Sequence, residues 1–471
     1  MHFYSDQRIT NPLRTRPLFI LLSTLATLLV LLHRDSILFW DTVQFTSKHG
    51  SWFYDQGIFS MLPMHLDSGH PPVFGMYQAA LWKIFGQSLM VSHLSMLPFI
   101  YVLIWYAIKL GELYTKATPW LYPMALLLCP FVLGHLALVS PDVVLMAAFL
   151  MALHSLLAFK HVPLVIASIV LALISMRGFA MMSGLALFQA MVLWQKGDRV
   201  KPIFVKLLRM YFFPVALFLA YQSWHMMTQE WVGFHSDSPW STSFNKVSGK
   251  GLIKNTVVYL WRLLDYGMIV SYAITLFSIA KLKSDKYRLL TLLLILMGLL
   301  YLIIIPFNGL MNHRYFLPIQ AVLLLMASGV VSNYKGLKEK LGIAALVGSM
   351  ALGNLIIYPE TIAQGWDSTA AHWPIYGLYR EMSDHIDSNP QISKSQIGTA
   401  FPFRSAAHYL ELNNQDLGYH QYNMQKDKYI LRSNVMNEFS DKQILALDKW
   451  IVVKSFNKKG VHLTLYQRTP Q

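Results

Sequence analysis

Six ionisable side chains stand out against an otherwise apolar chain. They are Asp41 in "ILFWDTVQF", Asp67 and His70 in "LDSGHPPVFGMY", Asp142 in "LVSPDVVLM", Arg177 in "ISMRGFAMM" and Arg314 in "NHRYFLP". Burying such groups costs free energy unless each is paired. A carboxylate among them can act as general base towards an acceptor hydroxyl. Arginines can grip a phosphate with two parallel N–H donors and offset negative charge on a leaving group. Carboxylate and arginine together at a membrane face point to group transfer from a lipid-linked phosphate. Each residue also has a plain structural role open to it. Asp41 suits an N-cap, and Ser140, Pro141 and Asp142 suit the N-cap, N1 and N2 of a helix. The two arginines can snorkel to lipid headgroups, and "GHPP" can be a turn.

The elements that must position these groups are apolar runs of membrane-spanning length. Of 471 residues, 55% are hydrophobic and 13% charged, and the mean hydropathy is +0.40. Soluble domains carry roughly 25% charged residues. The net charge of +15 does not imply nucleic acid, because cationic residues of membrane proteins gather in cytoplasmic loops. The single cysteine, Cys129, rules out an intrachain disulfide and a cysteine-based metal site.

About eleven spans are expected, at 17–39, 88–110, 119–139, 143–159, 162–176, 178–194, 210–229, 256–280, 289–307, 315–332 and 341–358. The first run lacks a small-residue cleavage site and reads as an anchor. Alternate loops, "RITNPLRTR", "KLGELYTK", "QKGDRVKPIFVKLLR", "KLKSDKYR" and "NYKGLKEK", are rich in Lys and Arg and belong inside. The other set holds two long outer loops, 40–87 and 230–255. The N-terminus then lies in the cytoplasm, residues 1–358 form the membrane domain, and all six singled-out side chains fall at the outer face. The run after "DSGHPP", with Trp82 and Lys83, is expected along the interface. Residues 359–471 turn polar and read as a small outer α/β domain. In it, Ser440 and Gln443 have capping-box spacing, and Val461, Leu463 and Leu465 alternate with polar residues in a terminal hairpin around 457–460.

In this order, "FWDTVQF", "DSGHPPVFGMYQAALWKIFG", "SPDVVLMAAFLMALHSL", "SMRGFAMMSGLALF" and "HRYFLPIQAVLLLMASG" resemble the GT-C integral-membrane glycosyltransferases of the family 39 and 83 type. That group includes protein O-mannosyltransferases and lipid A aminoarabinose transferases. The resemblance covers residues 17 to 335. It implies a polyprenyl-phosphate-linked sugar donor, a lipid, glycan or protein acceptor, and transfer outside the membrane. By the same resemblance Asp41 is the catalytic base and Asp142 the second acid. Arg177 meets the lipid phosphate, and Arg314, the late arginine, is expected near the phosphate as a second substrate-binding cation. Many relatives have "DE" where this chain has Asp41–Thr42, which makes Asp67 the nearest substitute base. The "DSGHPP" break in an interfacial helix is expected to bring Asp67 and His70 to the reacting groups, His70 as a substrate contact. Some relatives bind a divalent metal, for which Asp67, His70 and His313 supply donor atoms without diagnostic spacing. No cofactor is otherwise implied. A lipid-linked glycan ligase or polymerase would carry a large late outer loop, and the one near Asn308 is short. A transporter or flippase would show paired halves and midplane charges, and neither is present. An outer domain without cysteine fits a bacterial inner membrane.

Overall fold

A computed structural model describes residues 12–115, 117–233, 235–238, 241, 247–279, 285–308, 312–413 and 418–469. The basic stretch before Pro12, most of the tip of outer loop 230–255 and residues 280–284 of one basic loop lie outside them. Every one of the eleven apolar runs is helical. Crossing about 30 Å of hydrocarbon takes roughly 20 apolar residues. Among the described residues five helices meet that on length and composition, or six if Gly249–Leu264 and Met268–Ser278, bent by 84°, count as one. The expected count of eleven crossings is therefore not confirmed, for two physical reasons. Pro141–Leu157 and His161–Ile174 are short apolar helices of 17 and 14 residues. The run at 119–139 is split between Leu121–Leu128 and Pro130–Leu136, where Pro130 lacks the N–H that a continuous helix needs.

Two helices form the centre of the bundle. Every residue of Leu317–Val331 is buried, as is every residue of Pro141–Leu157 except Met151. Neither shows an amphipathic stripe, as expected of helices surrounded on all sides. By contrast Val200–Gln229 leaves Phe204, Phe212, Phe213 and Leu219 exposed on an outward face suited to lipid. The chain reads as an integral membrane protein in which the buried helices carry the charged residues at one end.

The loop 40–87 folds into a π-helix, Val43–Lys48, and helices His49–Gln56 and Val73–Phe85. Trp82, expected to face the headgroups, turns inward. Its side chain is fully buried and its indole N–H donates to Ser92 Oγ at 2.9 Å, whereas Lys83 is exposed. The apolar run thus turns its largest side chain inward, where it removes most area from water.

After helix Leu337–Gly353, 3-10 turns Trp366–Ser368 and Ala370–His372 and helix Pro374–Asp387 lead to a five-stranded sheet. Its strands are β1 (Ile397–Thr399), β2 (His420–Gln421), β3 (Tyr429–Ser433), β4 (Ile451–Lys458) and β5 (Val461–Gln467), in the order β2-β1-β3-β5-β4. β1 runs parallel to both neighbours, and β5 is antiparallel to β3 and β4. The expected alternation holds: Val461, Leu463 and Leu465 are fully buried. The Ser440–Gln443 capping box is formed as well.

Candidate active site

Asp41 sits in a tight turn just beyond the first helix. Trp40 before it has φ 60, in the left-handed region that a bulky residue seldom occupies. The Thr42 hydroxyl stabilises the turn, accepting from the Phe39 N–H at 2.9 Å and donating to the Phe39 carbonyl at 2.7 Å. Thr42, at the position where the sequence resemblance leads one to expect a second acid, therefore has a local task. Trp40 itself packs at 5.0 Å, edge to face, on Phe401.

Asp142 and Arg177 come from helix starts. Ser140 caps Pro141–Leu157, accepting from the Asp142 N–H at 3.2 Å, with Pro141 at N1. Ser175 caps Met176–Gln195 in the same way. A cation in a helix's first turn opposes the helix dipole, so Arg177 needs a carboxylate, and its Nη1 lies 2.7 Å from Asp142 Oδ1. Gly178 permits the approach. A Cβ there would fall 2.1 Å from the Leu171 carbonyl oxygen and 2.7 Å from a Leu145 methyl.

Arg314 lies in the 3-10 turn His313–Phe316, capped by Asn312. Its guanidinium is enclosed by carboxylates. Nη2 is bound to Asp41, Nη1 is bound to Asp367, and Nε lies 3.7 Å from Asp142. Asp367 also accepts from Asn312 Nδ2 at 3.1 Å. Gly134 seats the Asp367 turn, because a Cβ there would meet Thr369 N at 2.8 Å and the Asp367 carbonyl oxygen at 2.9 Å. His135 donates Nδ1–H to the Phe131 carbonyl at 2.9 Å, leaving Nε2 3.7 Å from Asp142 and 4.0 Å from Asp367. Both guanidiniums lie over the Tyr315 ring, at 4.6 and 5.4 Å.

Three carboxylates thus face two guanidiniums, an excess of one negative charge in a dry environment. The side chains of Asp142 and Asp367 are 2% and 1% exposed and that of Asp41 is 13% exposed. Asp41 is therefore the carboxylate that an incoming group can reach. Burial pushes its carboxyl above the ordinary range, Arg314 pulls it back, and neighbouring Asp367 raises it again; the net direction is up. Arg177 is the accessible cation, 21% exposed against 5% for Arg314.

The remaining expected residues form no ion pair with this cluster. Asp67 is fully buried and bound to His225 Nε2 at 2.8 Å, while His225 Nδ1 meets the Trp231 carbonyl at 2.8 Å. Its other oxygen accepts from the Gly69 N–H at 2.8 Å. With both carboxylate oxygens engaged and no exposure, Asp67 secures the "DSGHPP" loop to the Val200–Gln229 helix. Asp67, expected as a catalytic carboxylate, is thus enclosed and paired with His225 rather than with Arg177 or Arg314. His70 is half-buried, its Nδ1 has no partner, and it lies in the electrostatic field of Arg177 and Asp142. Burial lowers its pKa to about 3, so it is neutral. His313 turns away to Asp265 at 2.8 Å, beside Arg262. Asp67, His70 and His313 thus do not form one ligand set. Among the described residues no group of three or more His, Cys, Asp or Glu side chains is placed to hold a metal ion.

Asp367 and His135 were not anticipated. Asp367 sits in "GWDSTAAHW" after helix Leu337–Gly353, a stretch rich in aromatic residues; the acid among them is the signal. His135, in "FVLGHLALVS", carries no local signal.

No family model and no curated protein matches the sequence. Two solved structures share the fold over nearly the whole chain. ArnT from Cupriavidus metallidurans bound to undecaprenyl phosphate is 10% identical with a TM-score of 0.53, covering 96% of this chain and 99% of that one. The same enzyme in the apo state is 11% identical with a TM-score of 0.55 and the same coverage. At that identity the likeness establishes the fold, which is the fold implied by the sequence resemblance.

Proposed function

We propose that this protein is a glycosyltransferase that moves a sugar from a polyprenyl-phosphate-linked donor to a hydroxyl of a lipid, glycan or protein acceptor. Transfer takes place at the outer face of a bacterial inner membrane, with the N-terminus in the cytoplasm. Residues 359–471 form a periplasmic domain that lends Asp367 to the membrane domain of residues 1–358. The observation that carries the reading is the buried cluster of three carboxylates and two arginines at one end of an apolar bundle, with Asp41 as its accessible acid. A fold shared with a protein bound to undecaprenyl phosphate supports the donor class.

In this mechanism Asp41 takes the proton of the acceptor hydroxyl as its oxygen attacks the anomeric carbon. The bond from that carbon to the phosphate oxygen breaks, and its electron pair leaves on polyprenyl phosphate. A single displacement inverts the anomeric centre. Arg177 and neutral His70 face the donor, Arg177 offsetting charge on the leaving phosphate. The enclosed Arg314 is a positioning residue. It holds Asp41, Asp142 and Asp367 in register and keeps Asp41 ionisable in a site that would otherwise hold its proton. Burial of Asp41 suits it to its task, because a general base works best when its pKa approaches the working pH.

The test is release of polyprenyl phosphate from a panel of polyprenyl-phosphate sugars by purified protein, with membrane extract as acceptor. Asp41→Asn should fold normally and lose about 10²- to 10⁴-fold in turnover. Equal release by wild type and variant would remove Asp41 as the base. A wild type inactive on every donor of the panel would count against the transferase itself.

A further inference from the structure

At the end of the bundle opposite the carboxylate cluster, five helices enclose a cavity of about 620 Å³. Helix Pro141–Leu157 links the two sites: Asp142 opens it at one end and Leu157 lines the cavity at the other, roughly 22 Å away at 1.5 Å per residue. The walls are apolar, built from Leu157, Leu164, Leu193 and Leu289, and the rim is basic. Lys160, Lys196, Lys206 and Arg209 face a single carboxylate, Asp198, which pairs with Lys206 at 2.6 Å. Lys196 rests over the Phe159 ring at 4.4 Å. Lys160 and Arg209 are exposed, and among the described residues neither has a carboxylate within ion-pair distance. In the wall, the side-chain carbonyl oxygen of Gln189 is buried without a hydrogen-bond partner. A buried acceptor left unpaired is uncommon and costly.

These features describe a ligand in three parts: an anion for the rim, a hydroxyl or other donor for Gln189, and a hydrocarbon chain for the walls. We propose that the cavity holds an anionic glycerophospholipid of the adjacent leaflet. Its phosphate rests on Lys160 and Arg209, a headgroup hydroxyl donates to Gln189 Oε1, and an acyl chain runs along Leu157, Leu164 and Leu193. The volume lies in the range of ligand sites and admits a headgroup with the first part of one chain. Polyprenyl phosphate would leave Gln189 unpaired, and inorganic phosphate would leave the walls wet. The sequence places this end of the bundle in the cytoplasm, where leaflets are anionic and each cation near the surface adds roughly 1 kcal/mol. The site is distinct from the transfer reaction and does not depend on it.

The experiment uses delipidated full-length protein in detergent. Retained lipid is read by native mass spectrometry and protection by thermal shift. The probes are phosphatidylglycerol, phosphatidylethanolamine, phosphatidic acid, undecaprenyl phosphate and inorganic phosphate. The wild type should retain phosphatidylglycerol in preference to phosphatidylethanolamine, a comparison that needs no variant. Lys160→Gln with Arg209→Gln should bind it roughly thirty-fold more weakly, from two lost cation contacts. Gln189→Leu should bind phosphatidic acid as the wild type does and lose the preference for phosphatidylglycerol over it. Equal phosphatidylglycerol binding by the double variant would overturn the proposal. So would a stronger preference for undecaprenyl phosphate, or equal protection by inorganic phosphate, which would mark an adventitious ion only.

Discussion

Replacing Arg314 with glutamine tests the charge arithmetic of the site. In the wild type three carboxylates share two guanidiniums, and Arg314 touches all three through separate nitrogens. Arg314→Gln leaves Asp41, Asp142 and Asp367 with Arg177 alone, which is already committed to Asp142. Removing one partner of a buried pair costs about 3–5 kcal/mol, because the remaining charge stays desolvated. Here two carboxylates lose their direct partner, so the upper end is expected unless they take up protons, which would itself abolish the base. In dodecylmaltoside the tryptophan-fluorescence melting midpoint should fall by roughly 5 °C or more. The decisive measurement is the double variant. Asp41→Asn alone removes the excess negative charge and should leave the midpoint near the wild type. Added to Arg314→Gln it restores the wild-type excess of one, and should recover about 1–3 kcal/mol of the loss as a favourable coupling. An Arg314→Gln protein as stable as wild type, or a double variant with simply additive losses, would refute the idea that these residues form one charge-balanced unit.

Three further outcomes follow from the same geometry. Turnover should fall about ten-fold per pH unit on the acid side, with a midpoint above the ordinary carboxylate value of about 4. Burial raises the Asp41 carboxyl, and the base is lost as pH drops through that raised value; a pH–rate profile measures it. Gly134→Ala should cost about 1–3 kcal/mol and much of the activity, because the new methyl meets backbone atoms of the Asp367 turn at 2.8 and 2.9 Å. Melting midpoint and polyprenyl phosphate release read the two effects together. Stability should decline on acidification between pH 6.5 and about 4. Burial holds His49 and His372 near 4 and His70 near 3 in the folded protein, so below 6.5 the unfolded chain binds more protons than the folded one. Each histidine adds a slope of up to roughly 1.4 kcal/mol per pH unit, visible in melting midpoints taken at intervals across that window.

What the sequence determined by itself was local. Apolar runs became helices in every expected place, because apolar periodicity and length act on neighbouring residues. Ser140, Pro141 and Asp142 took their cap positions, Ser440 and Gln443 closed their box, and Val461, Leu463 and Leu465 turned inward. Alternation of basic loops placed Asp41, Asp142, Arg177 and Arg314 at one face, and the fold brings those four into contact.

Partner choice was decided only by the tertiary structure. Asp367 joins Arg314 across 53 positions and Asp41 joins it across 273, and no periodicity encodes such pairs. Asp67 had the same apparent credentials as Asp41, but the Val200–Gln229 helix brings His225 against it and uses up its charge. Arg314 has the residue type of a phosphate ligand, yet three carboxylates surround it, while Arg177 stays more open. Trp82 likewise turned inward once Ser92 supplied an acceptor for its N–H. The common reason is desolvation. A buried charge or donor takes whichever partner the packing of distant helices supplies, and the sequence lists the candidates without stating which of them meet.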